Sequence, residues 1–455
     1  MASQNRSRSL IVGVLCLIAA PAVAQAPAAG PNTLSFADAV RVAAGEAPVV
    51  TVATLKTTEA DARVRQARAA LLPSLSLGGY WLNRTFNSKS LGIDFSFPNP
   101  VAGQPPITLP DLIGPFNQYD ARFSATQTVF DWSSVARLRA ARTQADGSRA
   151  ERGVSVEGSA LTAAQAYLRA VRARSVVAAR QADSSVAAEL VTLAQARKAA
   201  GVSPAIDVTR ARAQLVTSEG LLIVARNQLD RAHIDVSRAL GLDPTVPLTL
   251  TDSLDPALGA ADVPGDREAA VTAAIANRPD LRAEAARGAA ARQTGSAYRA
   301  ERLPRLEVGG DYGVNGRTVP NAISTRDLTL QVSLPILDGF RREARVDEQD
   351  ALARESQTRE ADLRRQIAAD VDAALIDLRS AQAQGAVAAE QLRLAEDELS
   401  QAREQFRAGV TGNIEVINAQ SSLIRARDTE IDARYAAVTA RVSLARAVGV
   451  ARTLH

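Results

Sequence analysis

Apolar and polar residues alternate strictly in four short segments of the chain. These segments lie at about 73–84, 120–131, 304–315 and 326–336. In the last of them, Leu328, Leu330 and Val332 are separated by Thr329 and Gln331. The alternation predicts β-strands with one apolar and one polar face, which is the pattern of a wall between lipid and water. A half-buried sheet in a soluble domain has the same alternation, so the pattern alone leaves both structures open.

The segments that follow each pair of strands have helical spacing. Helical hairpins are expected at about 133–241, with a turn at 201–204, and at about 338–449, with a turn at 409–413. Along the second hairpin alanine repeats every seven residues, at Ala374, Ala381, Ala388, Ala395 and Ala402. Such a seam predicts close coiled-coil packing. A second apolar stripe lies beside the small one in the returning helices. It favours helices with neighbours on both flanks, as in a closed ring, although an ordinary antiparallel bundle also fits.

Short motifs recur about 200 residues apart, which indicates an internal duplication. The pairs shifted by 208 residues include Gly201-Val202 with Gly409-Val410 and Leu240-Gly241 with Val448-Gly449. We divide the chain into a first repeat at 25–241, a linker or equatorial segment at 242–266, and a second repeat at 267–450. A long Pro- and Gly-rich surface loop, roughly Thr85 to Gln118, is expected between the first two strands.

The N-terminus has the three parts of a secretory signal peptide. Arg6 and Arg8 form a basic region, an apolar run covers 10–20, and Ala22-Val23-Ala24 is a small-x-small cleavage site. We expect residues 1–24 to be removed by cleavage after Ala24. Cys16 lies within this segment behind the bulky Leu15, so we expect no lipid anchor. No later run of 18 apolar residues predicts a transmembrane helix.

Charge and chemistry-bearing residues argue against an enzyme. The chain has 53 Lys and Arg against 49 Asp and Glu, a formal net charge of +4. Because the two signs are interleaved, they indicate solvated helix faces rather than a nucleic-acid surface. Only two histidines and one cysteine occur, and we find no metal-spaced cluster, phosphate-binding loop or nucleophile motif. We therefore expect no catalysis, no cofactor and no bound nucleic acid.

The turns between the long helices contain capping residues. Gly201 and Gly409 can take the left-handed conformation that ends a helix. Ser203 is expected as the N-cap of the first returning helix, with Pro204 at its first position, and Thr411 or Asn413 as the N-cap of the second. Two acidic residues, Asp207 and Glu415, then fall in the first turns, where a negative charge interacts favourably with the helix dipole.

These motifs together resemble the TolC-type outer-membrane efflux family over nearly the whole mature chain. The resemblance is carried by the duplicated Gly-Val-x-x-x-Ile-Asp/Glu-Val turns, the strand pairs that open with Leu-Pro, and the paired helix ends. It implies a mixed α and β membrane protein located in the outer membrane, with a large periplasmic portion. It also implies a homotrimer with a 12-stranded β-barrel and an α-helical periplasmic tunnel. Four strands are too few for a membrane barrel, which needs about eight, so several chains must share one.

The resemblance also implies partners and site residues. The expected partners are a periplasmic adaptor protein and an inner-membrane pump of the RND, ABC or a similar class. The expected adaptor contacts at the periplasmic tip are Gly201, Val202, Ser203, Gly409, Val410 and Thr411. The gate candidates are Asp207, Glu415 and Asn418. Asn418 stands where the family pattern often has Asp, and Thr411 where an Arg can occur, so Glu415 alone keeps the charge of an acidic ring.

Two other functions remain open from the residues. A structural trimeric coiled-coil surface protein would also have long heptad helices, but it would not need two matched strand pairs. A periplasmic adaptor would also have helical hairpins, but it would carry a lipoyl-like β-domain that we do not find. The sequence does not identify the exported cargo.

Overall fold

The computed structural model describes residues 32–92, 96–108, 110–255 and 257–455. The predicted signal peptide, residues 1–24, lies outside the described residues. The first half contains β1 (Asn32–Leu34), α1 (Phe36–Glu46), α2 (Pro48–Ala69), β2 (Ser74–Asn87), β3 (Ser96–Phe97), β4 (Ile107–Thr108), β5 (Leu112–Phe130), α3 (Trp132–Ala199) and α4 (Ala205–Leu240). After β6 (Leu248–Leu250), the second half contains α5 (Arg267–Asn277), α6 (Pro279–Ala300), β7 (Arg305–Gly316), β8 (Ile323–Ser333), α7 (Arg341–Ala408) and α8 (Asn413–Val448).

The helices of the two halves match in length. α1 and α5 have 11 residues each, α2 and α6 have 22, α3 and α7 have 68, and α4 and α8 have 36. At a rise of 1.5 Å per residue, α3 and α7 are each about 100 Å long. The second half therefore repeats the first helix by helix, as the motif spacing indicates.

The long helices pack side by side. α3 packs against α2 and α4, and α7 packs against α6 and α8, while α3 also contacts α6 and α8 and so joins the halves. Near the turns the lateral order is therefore α4, α3, α8, α7, and near the sheet it is α2, α3, α6, α7. The heptad alanines at 374, 381, 388, 395 and 402 are all buried, as the seam predicts. One flank of α7 and one flank each of α2 and α4 remain at the two free sides.

Four antiparallel strands form one sheet in the order β2, β5, β7, β8. The pairing of β5 with β7 joins the two halves, and β2 and β8 are the edges. The register aligns Leu77 with Phe123 and Phe123 with Tyr312, so the apolar residues share one face. This face is bare in the single chain, where Leu77 is 82% and Leu328 86% exposed.

The opposite face of the sheet is polar and contains a half-buried ion cluster. Arg122 Nη1 contacts Asp311 Oδ1 at 2.6 Å, and its Nη2 contacts Asp120 Oδ2 at 2.8 Å. Gly313 lies opposite Arg122, and a Cβ at this position would lie only 2.3 Å from the Cβ of Arg122. The two halves therefore approach at a point that only glycine allows, and Arg122 clamps them with a cross-strand ion pair.

The largest apolar core surrounds the middle of α3, where β1 pairs with β6 in parallel. The Tyr167 hydroxyl donates to Asp252 Oδ2 at 2.6 Å and lies 2.9 Å from the Leu34 carbonyl. Asp252 also accepts the Phe36 N–H, at 2.6 Å. The segment at 242–266, which we expected to be a linker or equatorial segment, is tied to the N-terminal strand by β6 and Asp252.

Two further structural findings concern the connections and the helices. The surface loop expected at Thr85 to Gln118 is shorter, because β2 continues to Asn87 and β5 begins at Leu112. Residues 85–87 and 112–118, which we assigned to the loop because the segment is rich in Pro and Gly, belong to β2 and β5 instead. Among the described residues, no helix is both long enough and apolar enough to cross a bilayer.

Candidate functional site: the paired interhelical turns

The turn between α3 and α4 is closed by a left-handed glycine. Gly201 has a φ of +76°, and the next N–H, of Val202, donates at 3.0 Å to a carbonyl in the last turn of α3. Our expectation that Ser203 caps α4 is wrong. Pro204 occupies the N-cap with extended backbone (φ −71°, ψ 156°), so the helix begins one residue later. The Ser203 hydroxyl lies 2.5 Å from the Asp207 carboxylate and donates to it.

The turn between α7 and α8 has the same backbone but different capping. Gly409 has a φ of +79°, and the Val410 N–H bonds back to α7 at 2.9 Å. The expectation that Thr411 or Asn413 caps α8 is also wrong, because Gly412 is the N-cap and no side chain bonds there. The Thr411 hydroxyl is buried without a hydrogen-bond partner. The side chain of Asn413 faces the first hairpin instead of its own helix end.

Each turn presents an exposed pair of apolar side chains. Val202 is 62% exposed and Val410 75%. Ile206 and Ile414, four residues further on, are exposed as well. Each valine lies in the turn and each isoleucine is the second residue of the following helix, so each turn exposes two apolar side chains close together in the chain. The duplication therefore places two equivalent apolar contacts at the same end of the molecule.

Arg197 joins the first hairpin to the second beside these turns. Its Nη1 donates to the carbonyls of Phe406 at 2.5 Å and Arg407 at 3.2 Å, in the last turn of α7. Its guanidinium carbon lies 4.7 Å from the centre of the Phe406 ring. A cation is favourable there, because the last carbonyls of a helix form its negative end. A second bridge runs in the opposite direction, from Asn413 Nδ2 to the Asp207 carbonyl at 2.9 Å.

Polar side chains extend this contact along α8 at seven-residue intervals. Asn413 is followed by Gln420, whose Nε2 donates to the Asp183 carbonyl at 3.2 Å. Arg427 follows seven residues later, and its Nη1 contacts the Asp183 carboxylate at 2.6 Å. The apolar clusters continue from α3 to α8, and these side chains add hydrogen bonds to the seam between the hairpins. Polar residues at buried heptad positions fix the register of the helices that they join.

Arg180 completes the charged part of this seam. It contacts the Asp183 carboxylate at 3.1 Å and the Asp428 carboxylate at 2.5 Å, and both Arg180 and Asp183 are buried. Burial acts to lower the pKa of Arg180, but its hydrogen bonds and charge interactions with Asp428 and Asp183 outweigh that effect and raise the pKa. The guanidinium therefore stays charged, and the contact between the hairpins does not depend on its titration.

The three gate candidates have different surroundings. Asp207 is buried and its carboxylate is bonded to Ser203. Glu415 and Asn418 are exposed, lie three residues apart on one face of α8, and make no hydrogen bond or ion pair with any described residue. The structure thus separates a structural acid from two free polar groups. A gating role for any of them stays a prediction.

Sequence reasoning missed Arg197 and Gln420. Arg197 is one of many arginines on a long helix, and only the fold brings it to the end of α7. Gln420 offered a weak signal, because it interrupts an apolar face that includes Val416, Ala419 and Leu423. In the part of the chain that the structure describes, no group of three or more His, Cys, Asp or Glu side chains could hold a metal ion.

Comparison with known proteins agrees with this architecture. The sequence model of the outer membrane efflux protein family matches residues 39–242 and 270–450, and the chain belongs to this family. Proteins of this family are located in the outer membrane and act in transport.

Two named relatives and one solved structure illustrate the likeness. The chain is 26% identical to Protein CyaE of Bordetella pertussis, over 91% of this chain and 84% of the relative. It is also 26% identical to the pyoverdine export outer membrane protein OpmQ of Pseudomonas putida, over 73% of this chain and 70% of the relative. The CmeC outer membrane channel of Campylobacter jejuni has the same fold, with a TM-score of 0.75 at 14% identity, over 91% of this chain and 86% of that one.

Proposed function

We propose that three copies of this chain form an outer-membrane channel. The channel conducts cargo from a periplasmic adaptor and an inner-membrane pump to the cell exterior. The main support is that the chain forms a layer whose two lateral sides, at the sheet and along the helices, have no packing partner among the described residues. β2 and β8 each pair on one side only. Unpaired backbone groups are not tolerated in lipid, and four strands do not close a barrel, but three copies supply twelve.

The outer helices expose apolar residues on the same two sides of the molecule as the unpaired strand edges. α2 leads into β2, and its exposed apolar residues are Val49, Val52 and Leu55. α4 lies below α2 and exposes Val216, Ile223 and Ile234. On the opposite side α7 follows β8, and it exposes Ile376, Val387 and Leu394. One subunit interface along the whole molecule would therefore cover the strand edges and the helix flanks together.

The angles between the contact stripes support a closed ring. At about 100° per residue, the exposed apolar stripe of α4 lies roughly 150° from its buried stripe, and that of α7 roughly 110°. Helices whose two contact lines are separated by less than 180° curve when they are added side by side. A hollow, closed wall of helices below a barrel is a conduit.

The exposed turns fit contact with an adaptor. The tip residues Gly201, Val202, Ser203, Gly409, Val410 and Thr411 lie at the end of the molecule away from the sheet. Small apolar surfaces such as the Val and Ile pairs suit helical hairpins of a partner, which bind through apolar anchors one turn apart. We therefore place the adaptor at these turns, with the pump behind it.

Native mass spectrometry of the detergent-solubilised protein, together with planar-bilayer recording, tests the channel. We expect a complex of three chains and stable ion conductance. A monomer that conducts by itself would exclude the shared barrel. A trimer without conductance would favour the structural coiled-coil protein, and absence from the outer-membrane fraction would favour an adaptor.

A further inference from the structure

Three exposed apolar residues on one face of α4 and three on one face of α7 have mirrored spacing. The other exposed apolar residues, Ile206, Leu221 and Val224 of α4 and Leu352 of α7, lie on other faces of these helices. On α4, Val216, Ile223 and Ile234 are 7 and then 11 residues apart. On α7, Ile376, Val387 and Leu394 are 11 and then 7 residues apart. Both sets span 18 residues, which is five turns of a helix, so each forms a straight stripe about 27 Å long. Two stripes with reversed spacing match when the helices run antiparallel.

From this match we infer the register of the subunit interface, an inference that rests on the proposed trimer. Val216 of one copy opposes Leu394 of the next, Ile223 opposes Val387, and Ile234 opposes Ile376. The same register sets the start of α4 at Ala205 within three residues of the end of α7 at Ala408. The turns of neighbouring copies are then level, although the turns did not enter the alignment.

The register also identifies a charge pair between copies. Arg212 lies four residues before Val216, and Glu398 lies four residues after Leu394, so the two side chains oppose each other. Both are exposed, and neither side chain makes an ion pair or hydrogen bond with any described residue. Within one chain they belong to opposite ends of the lateral order, with α3 and α8 between them. A second copy of the chain is the partner that supplies both the apolar stripe and the opposite charge.

Cysteine crosslinking tests the register directly. In a background without Cys16, we expect Ile223→Cys with Val387→Cys to form a disulfide-linked trimer on oxidation. The off-register control, Ile223→Cys with Leu394→Cys, moves one thiol by two turns, about 10 Å, which is beyond disulfide reach. We expect its yield to be at least tenfold lower. Equal yields, or a higher yield for the control, would overturn the register.

A charge exchange tests the ion pair. Arg212→Glu and Glu398→Arg should each lower the temperature at which the trimer dissociates, and the double variant should recover most of the loss. Additive losses in the double variant would refute the pair. Native mass spectrometry distinguishes a wrong register from a wrong oligomeric state. Three chains without the expected crosslink refute only the register, whereas the absence of a trimer refutes the proposed function.

A different observation concerns the apolar face of the sheet. Arg326 is the one charged residue on this face among the described strands β2, β5, β7 and β8. It lies opposite Tyr312, which is 63% exposed, and its side chain makes no ion pair or hydrogen bond with any described residue. It is the fourth residue of the 11-residue β8, nearer the hairpin loop than the helical end. A charge facing lipid is costly unless it reaches a counter-charge.

The strand that would neighbour Arg326 at the subunit boundary offers it no carboxylate. β8 is an edge strand, and in the proposed trimer its neighbour is β2 of the next copy. β2 contains no Asp or Glu in its 14 residues. A long arginine side chain can extend along the sheet to the membrane surface and bind phosphate through two parallel N–H groups. The geometry points to a lipid phosphate in the outer leaflet, and we assign it to the lipid A part of lipopolysaccharide.

Mass spectrometry of lipid bound to the purified trimer tests this site. We expect the wild type and Arg326→Lys to retain lipid A, and Arg326→Gln to bind it at least tenfold more weakly, since a charge-assisted hydrogen bond is lost. Arg354→Gln removes the same charge from an exposed position on α7 and should change nothing. Lipid A without phosphate and free inorganic phosphate should both fail to compete.

Three outcomes would overturn the lipid site. Equal lipid A binding by Arg326→Gln would remove the residue from any lipid contact. Retention of neutral and phosphorylated lipid A alike would leave only an apolar contact. A trimer that is less heat-stable in Arg326→Gln but binds the same lipid would make Arg326 a subunit contact. Since each measurement uses intact trimer, none of these results bears on the channel itself.

Discussion

Arginine has different effects in this chain according to what its guanidinium group faces. On the helix surfaces, pairs such as Arg393 with Glu390 are exposed on both sides and contribute little to stability, because water screens the two charges. Arg180 is buried between the hairpins and bonded to carboxylates of two helices. Arg197 binds backbone carbonyls and an aromatic ring instead of a carboxylate. The last two, like Arg427, join one hairpin to the other.

Arg197→Gln is expected to loosen the end of α7. The variant loses a charged donor to two carbonyls and the contact with the Phe406 ring, so we expect the amides of residues 402–410 to exchange hydrogen about tenfold faster, equivalent to about 1.4 kcal/mol. Hydrogen-exchange mass spectrometry of the trimer measures this. The control is Lys198→Gln, at an exposed neighbour whose side chain makes no hydrogen bond or ion pair with any described residue. Unchanged protection in Arg197→Gln would show that Arg197 does not hold the turn.

Gly313→Ala is expected to disrupt the join between the two halves of the sheet. The added Cβ would meet Arg122 and the Ala121 carbonyl at 2.3 and 2.5 Å, so β5 and β7 must separate. We expect a loss of about 3 kcal/mol or more, seen as little heat-resistant trimer on gels. Gly309→Ala is the control, because its nearest contact is Thr126 Cγ2 at 3.8 Å. If both variants give normal trimer, the close approach does not limit the sheet.

At the level of elements, local patterns predicted which segments are strands and helices, but not what their ends contact. Alternation and heptads are local properties, so the strands and hairpins lie where the spacing indicates. The capping predictions were wrong because the N-cap residues are Pro204 and Gly412, and neither helix start has a side-chain hydrogen bond. Arg197 and Asn413 could not be assigned in advance, since their partners lie about 200 residues away.

The duplicated turns lead to a prediction about export. Val202→Asp with Val410→Asp places a charge on both apolar contacts, so we expect adaptor binding and export to be lost. Both side chains are exposed, and the trimer should keep its heat stability. Export of a known cargo in cells and crosslinking to the adaptor measure the effect. Val224→Asp puts the same change on an exposed part of α4 about five turns away, and it should export normally. Normal export by the double variant would contradict docking at the turns.

At the scale of the whole molecule, the two halves of the chain are joined to each other, but the two lateral sides of the molecule are exposed. The polar seam of Asn413, Gln420 and Arg427 joins its two hairpins, and the Arg122 cluster joins its two strand pairs. Within one chain, no described residue pairs with the outer edges of β2 and β8, and no described helix packs on the outer flanks of α2, α4 and α7. Threefold repetition would turn every exposed group near the turns into a ring of three. A single carboxylate can then act on a pore even though it has no partner in one chain.

Glu415 is the exposed carboxylate near the turns that would form such a ring of three in the proposed trimer. It is exposed in the first turn of α8, and Asn418 beside it carries no charge. Three carboxylates around a narrow entrance attract cations and repel anions, and they bind multivalent cations in particular. Glu415→Gln should therefore lose cation preference and multivalent block in planar bilayers, with little change in trimer stability. Glu404→Gln is the matched control and should behave as wild type, because this exposed acid of α7 makes no side-chain hydrogen bond or ion pair with any described residue. If selectivity and block are the same in Glu415→Gln, its carboxylate only complements the positive end of its helix, and the narrowest part of the channel lies elsewhere.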